Sequence, residues 1–319
     1  MILCVTANPC LDKTLTVPPW QPGDSVRGLT VRAVVGGKGN NVARALACLG
    51  HAPVHPVTFL GGKIGDYCEE LLRRDEGLKP LVTRTMAPTR VILTVRTEGG
   101  SDQTAFFDPD PAITPTEAQA LYRQVETTFV ANGVMALTLS GSSPAPATHE
   151  LYSDLVALAR ARHVPVFLDT YGAALNAIWG FWPEVMQLNR REAAAHLHKP
   201  KLSDADIWDL LGSWARHGVR IGLVTDGPGP VLILADGQRY RAVPPKIEPV
   251  NPIGSGDCLL AGLADAWLLG QGRERDVEAM LRHGVACAVA NSLVWDAGAI
   301  DPSEVRRQEG AITVEALAR

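Results

Sequence analysis

The segment Asn251-Pro252-Ile253-Gly254-Ser255-Gly256-Asp257 joins a glycine-rich turn to an apolar run that follows directly at residues 258–264. Small residues let backbone N–H groups approach a ligand closely, and the start of a helix favours an anion at that point. Asp257 places a carboxylate beside this anion site, where it is suited to taking a proton from an attacking hydroxyl. An aspartate that only satisfies the amides of the first helical turn fits the spacing equally well. The segment matches neither the Walker A loop nor the dinucleotide fingerprint.

A second glycine cluster, Gly36-Gly37-Lys38-Gly39-Asn40-Asn41, precedes a predicted helix near the N-terminus. Asparagine amides can donate to and accept from sugar hydroxyls, and a lysine can meet a phosphate as a point charge. The alternative is a loop whose glycines only allow a strand and a helix to pack closely. The crowding of polar side chains among these glycines favours a ligand site.

Between the two clusters, strand-like and helix-like patterns alternate along the chain. Residues 134–140, 164–169 and 219–225 are predicted to be buried strands. Thr114 and Ser203 are predicted N-caps of amphipathic helices. Near-continuous apolar strands separated by such helices predict an α/β fold whose mostly parallel sheet is covered on both faces.

Two segments, at about residues 12–35 and 89–108, break the alternation because they contain strand-like runs with no helix between them. Such runs predict a small antiparallel β-sheet beside the main one. We expect this second sheet to serve as a lid over a site.

The composition excludes several classes of protein. Of the 319 residues, 46% are hydrophobic and 20% are charged, which suits a large buried core, and the net charge of −4 gives no strong positive field. No run reaches the length of about 18 apolar residues that a membrane helix needs. The first strand-like residues do not resemble a signal peptide, and the six scattered cysteines indicate free thiols in a reducing compartment. We therefore expect a cytoplasmic protein that binds neither nucleic acid nor membrane.

Together, the two glycine clusters resemble the paired signatures of the PfkB (ribokinase-like) carbohydrate kinases. The opening Val5-Thr6-Ala7-Asn8-Pro9-Cys10-Leu11-Asp12 is similar to the start of the 1-phosphofructokinase and tagatose-6-phosphate kinase branch of that family. The resemblance covers nearly the whole chain. It implies one kinase domain over residues 1–319, with a ribokinase-like three-layer α/β/α fold and a small β lid.

The resemblance also implies a reaction and a set of site residues. The reaction would transfer the γ-phosphoryl group of ATP to a hydroxyl of a ketohexose phosphate of the fructose 1-phosphate or tagatose 6-phosphate type. Asp257 would be the general base, and the amides of Gly254, Ser255, Gly256 and Asp257 would form the anion hole. The substrate-binding residues would be Asp12, Gly37, Lys38, Asn41, Arg90, Arg27 and Ser140. The nucleotide-binding residues would be Asn189, Glu192, Thr225, Gly227 and Gly229.

The implied cofactors and partners follow from the same resemblance. ATP and Mg²⁺ would be used, with Glu192 holding the metal through water. Some members of the family also use a potassium-like monovalent cation. The partners would be a sugar phosphate, a nucleotide and a second copy of the chain, which would form a homodimer through the lid.

Two loops depart from the family pattern. Asp108-Pro109-Asp110-Pro111 stands where the branch has a Gly-Pro pair after the second lid strand, and its acidity does not suit a phosphate. Asp226-Gly227-Pro228-Gly229-Pro230 is stiffer and more acidic than the usual nucleotide loop.

Other functions therefore stay open. One is a fructokinase, ribokinase-like or nucleoside kinase of the same fold. Another is a non-catalytic sugar-phosphate sensor, against which the retained Asp257 and its glycines argue. A nicotinamide-dependent dehydrogenase is disfavoured because neither cluster has its fingerprint.

Overall fold

A computed structural model of the chain describes residues 1–99, 103–131, 133–178, 180–270 and 276–318. The strands are β1 (Ile2–Thr6), β2 (Cys10–Val17), β3 (Thr30–Gly36), β4 (Val54–Gly61), β5 (Leu81–Thr85), β6 (Arg90–Thr97), β7 (Gln103–Phe107), β8 (Ala136–Ser140), β9 (Val166–Asp169), β10 (Val185–Asn189), β11 (Ile221–Thr225), β12 (Val231–Ala235), β13 (Gln238–Val243) and β14 (Thr313–Ala316).

The helices alternate with most of these strands. They are α1 (Lys38–Cys48), α2 (Gly62–Glu70), α3 (Pro115–Val130), α4 (Leu151–Arg160), α5 (Ala173–Asn176), α6 (Arg190–His196), α7 (Asp204–Arg216), α8 (Ser255–Leu269), α9 (Val277–Ser292) and α10 (Pro302–Glu309). A π-helical turn continues α2, and a short 3₁₀ turn precedes α4.

A ten-stranded sheet forms the middle layer, in the order β14-β13-β12-β11-β10-β9-β8-β1-β4-β5. Every neighbouring pair from β11 to β5 is parallel, and the pairs from β11 to β14 are antiparallel. The prediction of a mostly parallel sheet is therefore confirmed. Because the parallel strands share a direction, their carboxyl ends meet at one edge of the sheet, where ligands bind in open α/β folds.

The alternation of side chains along β1 separates the two helical layers. Ile2 and Cys4 belong to a buried cluster that includes residues of α1, α8 and α9. Leu3 and Val5 belong to a second cluster, which includes residues of α3, α4 and α7. Side chains of a strand point alternately to opposite faces, so helices cover both faces of the sheet. This is the predicted three-layer arrangement.

The predicted helix starts at Thr114 and Ser203 are confirmed by their hydrogen bonds. The side chain of Thr114 accepts from the N–H of Glu117, and the side chain of Ser203 accepts from the N–H of Asp206. Both are complete capping boxes, because the acidic residue in each case reaches back to the cap N–H.

The predicted second sheet is present as the four-stranded lid β3-β2-β6-β7. The outer pairs β2–β3 and β6–β7 are antiparallel, whereas the central pair β2–β6 is parallel. The parallel pair has a simple origin: β2 directly follows β1 and β6 directly follows β5, and β1 and β5 run in the same direction within the central sheet.

Close contact between α8 and α9 fixes the position of α8, the helix that begins at the glycine turn of residues 254–256. A methyl group added to Gly262 of α8 would lie 2.8 Å from Sγ of Cys287 and 2.9 Å from Cα of Gly284, both on α9. Only a glycine at position 262 therefore permits this spacing of the two helices.

All six cysteines are free, and five of them are buried. Burial raises the pKa of the Cys4, Cys10 and Cys68 thiols to about 12. Burial also raises the thiol pKa of Cys48, Cys258 and Cys287.

We expect Gly262→Ala to lower the free energy of unfolding by about 1–3 kcal/mol, the usual cost of overpacking a core. The matched control is Gly212→Ala in α7, where the added methyl would meet only the flexible end of Arg216, at 3.6 Å. The control should be neutral or stabilising by up to about 1 kcal/mol, since alanine favours a helix over glycine. Urea denaturation of both variants measures the difference. Equal effects would contradict the proposed packing constraint.

Candidate active site

The N-terminus of α8 offers free backbone donors to an anion. Gly254 has a φ of 86°, a left-handed conformation that favours glycine, and the turn it makes leads into the helix. The N–H of Ser255 donates to the carbonyl of Pro252 at 3.3 Å. Among the described residues, the N–H groups of Gly256 and Asp257 have no acceptor. Of the four amides predicted to form the anion hole, those of Gly254, Gly256 and Asp257 have no acceptor among the described residues, whereas that of Ser255 has a partner.

Asp257 lies in the first turn of α8 and is buried, with 5% of its surface exposed. Its Oδ2 accepts a hydrogen bond from Nδ2 of Asn41 at 2.8 Å. Burial raises the pKa of Asp257 to about 7, against the opposing positive charge of Lys38. A carboxyl group whose pKa lies near neutrality is well matched to general base catalysis.

Asn41 connects the two glycine clusters. Its Oδ1 accepts from Nη1 of Arg44 at 3.0 Å while its Nδ2 donates to Asp257. Arg44 is itself held by Glu76, at 2.8 Å. Both polar ends of the Asn41 amide are therefore engaged, so this side chain orients Asp257.

Lys38 lies at the start of α1, which begins within the glycine cluster rather than after it. Its Nζ is 3.0 Å from Oδ1 of Asp169 and 3.0 Å from Oε1 of Glu192. Burial lowers the pKa of Lys38, but Asp169, Glu192 and Asp257 together raise it above its ordinary value. The ammonium therefore stays charged, and it faces a group of carboxylates beside the base.

Two polar residues beside Lys38 and Asp257, namely Asp169 and Gln187, were not predicted from the sequence. Asp169 is the last residue of β9 and is 3% exposed. Nε2 of Gln187, on β10, donates to Oδ2 of Asp169 at 3.2 Å and to the carbonyl of Gly256 at 2.9 Å. A polar residue at the carboxyl end of a predicted parallel strand was the available signal for Asp169.

The predicted nucleotide residues lie mostly along the same edge of the sheet. Asn189 caps α6 by accepting from the N–H of Glu192, whose Oε2 in turn accepts from the N–H of Asn189. Thr225 and Gly227 line the cavity, whereas Gly229 does not.

The acidic turn that follows β11 carries less negative charge than its sequence indicates. Its Asp226 pairs with Nε of Arg190 at 2.9 Å. Arg190 also pairs with Asp204, at 2.8 Å, so one guanidinium faces two carboxylates and the charge of Asp226 is only partly balanced.

Asp12 and Gly37 line the other end of the cavity, at the lid. Burial raises the pKa of Asp12, an effect that Arg44 opposes and Asp296 adds to. Ser140 lies behind the cavity, buried, and its carbonyl accepts from the hydroxyl of Tyr152. Arg27 is exposed in the segment before β3 and does not line the cavity of this chain.

Arg90, at the start of β6, does line the cavity. Its guanidinium donates to the carbonyl oxygens of Asn8 and Pro9, and it pairs with Asp110 at 3.1 Å. Of the two predicted arginines, the structure thus places Arg90, but not Arg27, at the cavity.

Two contacts join the lid to the segment that follows α9. Arg32 of β3 pairs with Asp296, and the guanidinium of Arg96 lies 4.3 Å from the ring centroid of Trp295. Both partners in this segment also line the cavity.

One cavity of about 960 Å³ is lined by Asp257, Asn41, Lys38, Asp169 and Glu192, and by Arg90 at the lid. It extends from the lid, past the start of α8, to the turn after β11. Its volume suits two small molecules placed end to end. None of the helices formed by the described residues has the length and hydrophobicity that crossing a bilayer requires.

A buried carboxylate beside free helix-terminal amides, within one continuous cavity, suits transfer of a phosphoryl group onto a hydroxyl. Residues 5–304 match the model of the pfkB family carbohydrate kinases. The chain belongs to the pfkB family of carbohydrate kinases and is an ATP-dependent sugar kinase.

Individual relatives agree with this assignment. The chain is 30% identical over 272 residues to a 1-phosphofructokinase from Rhodobacter capsulatus, covering 84% of each chain. It is 29% identical over 320 residues to a 1-phosphofructokinase from Xanthomonas campestris pv. campestris, covering 99% of this chain and 98% of the relative.

Phosphofructokinase-2 from Escherichia coli has the same fold. Its structure in complex with potassium superposes with a TM-score of 0.86 at 25% identity, covering 97% of this chain and 98% of that chain. Its tetrameric inhibited form gives a TM-score of 0.85 with the same identity and coverage.

We expect Asp257→Asn to raise the free energy of unfolding, and the gain should grow as the pH rises from about 4 to about 8. With a folded-state pKa of about 7, raised by burial, the folded protein keeps a proton that the unfolded chain releases near its ordinary value of about 4. This contribution to stability is complete below the unfolded value and is lost as the pH rises through 7. Asparagine cannot ionise and avoids the loss.

Urea denaturation of the wild type and the variant at several pH values within this range measures the difference. A difference that does not change with pH would contradict the raised pKa.

Proposed function

We propose that the chain phosphorylates a hydroxyl of a ketohexose phosphate of the fructose 1-phosphate or tagatose 6-phosphate type, with Asp257 as general base. The observation that carries this proposal is the buried Asp257 carboxyl, with a pKa of about 7, beside the free amides of Gly256 and Asp257. The two relatives named 1-phosphofructokinase support the choice of a phosphorylated ketose. Arg90 in the cavity supports an anionic substrate.

In this proposal, the sugar lies at the lid end of the cavity and ATP lies at the end formed by the turn after β11. Asp257, oriented by Asn41, takes the proton of the acceptor hydroxyl as its oxygen attacks the γ-phosphorus. The bond from the γ-phosphorus to the bridging oxygen breaks and ADP leaves. The amides of Gly256 and Asp257 and the ammonium of Lys38 stabilise negative charge on the transferring group.

The residues present also fit Mg²⁺, which the family uses with ATP. Glu192 and Asp169 supply carboxylate oxygens, the ligand type that Mg²⁺ prefers. Both oxygens of Glu192 already accept hydrogen bonds, from Lys38 and from the N–H of Asn189. Glu192 would therefore hold the metal through water, as the resemblance implies. Bound there, the ion would neutralise charge on the phosphates.

A monovalent cation is a further part of the proposal. Its support is the potassium complex of phosphofructokinase-2 from Escherichia coli, a relative of the same fold.

Coupled measurement of ADP release over a panel of fructose, fructose 1-phosphate, fructose 6-phosphate and tagatose 6-phosphate tests the substrate. A phosphorylated ketose should give the highest kcat/KM. Asp257→Asn should lower kcat by roughly 10²- to 10⁴-fold, the usual range for loss of a general base, while nucleotide binding persists.

The control is Asp265→Asn, a second buried aspartate on α8, which pairs with His51 and His283. This control should lower stability rather than kcat. A preference for an unphosphorylated sugar or a nucleoside would contradict the proposed substrate, and near-wild-type kcat in Asp257→Asn would contradict the proposed base.

We also propose that two copies of the chain associate through the lid. Arg32 and Val34 of β3 line the cavity, and so do Ala105 and Phe107 of β7, so Val31 and Phe106 point to the opposite face. Val31 is 61% exposed and Phe106 is 54% exposed. Exposed apolar side chains that share one face of a sheet are typical of an interface.

Val31→Asp is expected to convert a dimer into a monomer, because an aspartate there would lose its water on association. The matched control is Val130→Asp at the end of α3, where the valine is also 61% exposed but lies outside the lid. Sedimentation velocity of both variants measures the mass. A wild-type monomer, or equal dissociation of the two variants, would contradict association through the lid.

A further inference from the structure

The acidic loop after β7 places a carboxylate on the cavity arginine. Oδ1 of Asp110 accepts from Nη1 of Arg90 at 3.1 Å and from Nδ2 of Asn8 at 2.8 Å. One oxygen of Asp110 thus takes both donors, whereas the residue as a whole keeps 47% of its side chain exposed. Arg90 is the less exposed partner, at 14%.

Asp110 is the only negatively charged partner of Arg90 among the contacts of the described residues. The other two acceptors of Arg90 are neutral carbonyl oxygens, of Asn8 and Pro9. A guanidinium and a side-chain amide that converge on one anionic oxygen also form a suitable site for a phosphate oxygen. The carboxylate of Asp110 therefore occupies the position that the anionic group of a substrate needs.

The loop around Asp110 is held in place on both sides. The N–H and the carboxylate of Asp108 bond to the carbonyl and the N–H of Val91, respectively, which fixes the loop to β6. Pro109 and Pro111 flank Asp110 and restrict the backbone, since proline fixes φ. Rotation of the half-exposed Asp110 side chain into solvent is then sufficient to free Arg90. Because the backbone stays in place, the carboxylate can bind Arg90 again when the ligand leaves.

We propose that Asp110 is a specificity-determining residue that competes with the phosphate group of the substrate for Arg90 and Asn8. This inference rests on the proposed function, because it takes the substrate to be a phosphorylated ketose. A phosphate dianion carries more charge than a carboxylate and offers three acceptor oxygens, so it displaces Asp110. A ligand with a weaker anion, or with none, does not gain Arg90 and leaves the ion pair intact. Asp110 thereby weakens binding of those ligands whose anionic group must take Arg90 and leaves the binding of a neutral sugar unchanged.

Asp110→Asn and Asp110→Ala test this competition. Both variants should lower KM for the phosphorylated ketose by roughly tenfold, with a smaller change in kcat and little change in KM for fructose. Calorimetric titration of the protein with the same sugar phosphate, without nucleotide, should show a Kd lowered by a similar factor. The matched control is Asp108→Asn in the same loop, which removes the same charge but contacts Val91 rather than Arg90. This control should leave KM and Kd unchanged.

A double-mutant cycle makes the test specific to the ion pair. Arg90→Ala should raise KM for the sugar phosphate, and Asp110→Asn should have no further effect in that background, because there is no guanidinium left to release. Additive effects of the two substitutions would overturn the inference, as would an unchanged or raised KM in Asp110→Asn alone. A raised KM would mean that Asp110 accepts a hydrogen bond from the substrate.

If the substrate is not a sugar phosphate, the same measurements give a result that differs from a failure of the Asp110 inference alone. In that case neither the wild type nor the Asp110 variants bind or phosphorylate any sugar phosphate, although unphosphorylated sugars are turned over. That result would overturn the proposed substrate class and the inference together. Turnover of sugar phosphates with an unaltered KM in Asp110→Asn would overturn the inference alone.

Discussion

The rest of the site depends on one half-buried cation, the ammonium of Lys38. It bonds to Asp169 at the end of β9 and to Glu192 in α6, and it opposes the rise in the pKa of Asp257 in α8. Three carboxylates gathered in a poorly solvated cleft repel one another and favour protonation. The single positive charge of Lys38 among these three carboxylates offsets their repulsion and favours their ionised forms. It also fixes the start of α1 against the carboxyl edge of the sheet, so that Asn41, one turn further on, reaches Asp257.

Much of the fold follows from local patterns in the sequence. Strand runs that are apolar throughout predicted parallel strands covered on both faces, and the capping residues Thr114 and Ser203 predicted helix starts that their hydrogen bonds confirm. The two glycine clusters predicted a ligand between them, and Asn41 and Asp257 do meet although 216 positions separate them. Local sequence patterns could not predict the parallel pairing of β2 with β6, because it depends on the directions of β1 and β5 in the other sheet.

Side-chain partners were harder to predict than positions. Asp169 and Gln187 carry no motif, and their importance arises only where neighbouring strands end together. Asn41 lines the cavity, as a sugar-binding residue should, but its hydrogen bonds to Arg44 and Asp257 were not predicted. The acidic loops at 108–111 and 226–230 were recognised as unusual. Their sequence could not reveal that Asp110 pairs with Arg90 and Asp226 with Arg190, since these ion pairs join residues distant along the chain.

The buried thiols have a consequence for oxidative damage. Peroxides and alkylating reagents attack the thiolate, and every cysteine in this fold has a pKa above its ordinary value. Even Cys10, which lines the cavity, has a thiol pKa raised to about 12 by burial. The five buried thiols of the folded enzyme should therefore react slowly with such reagents. The rate at which these buried thiols are modified should therefore depend on how often the chain unfolds and exposes them.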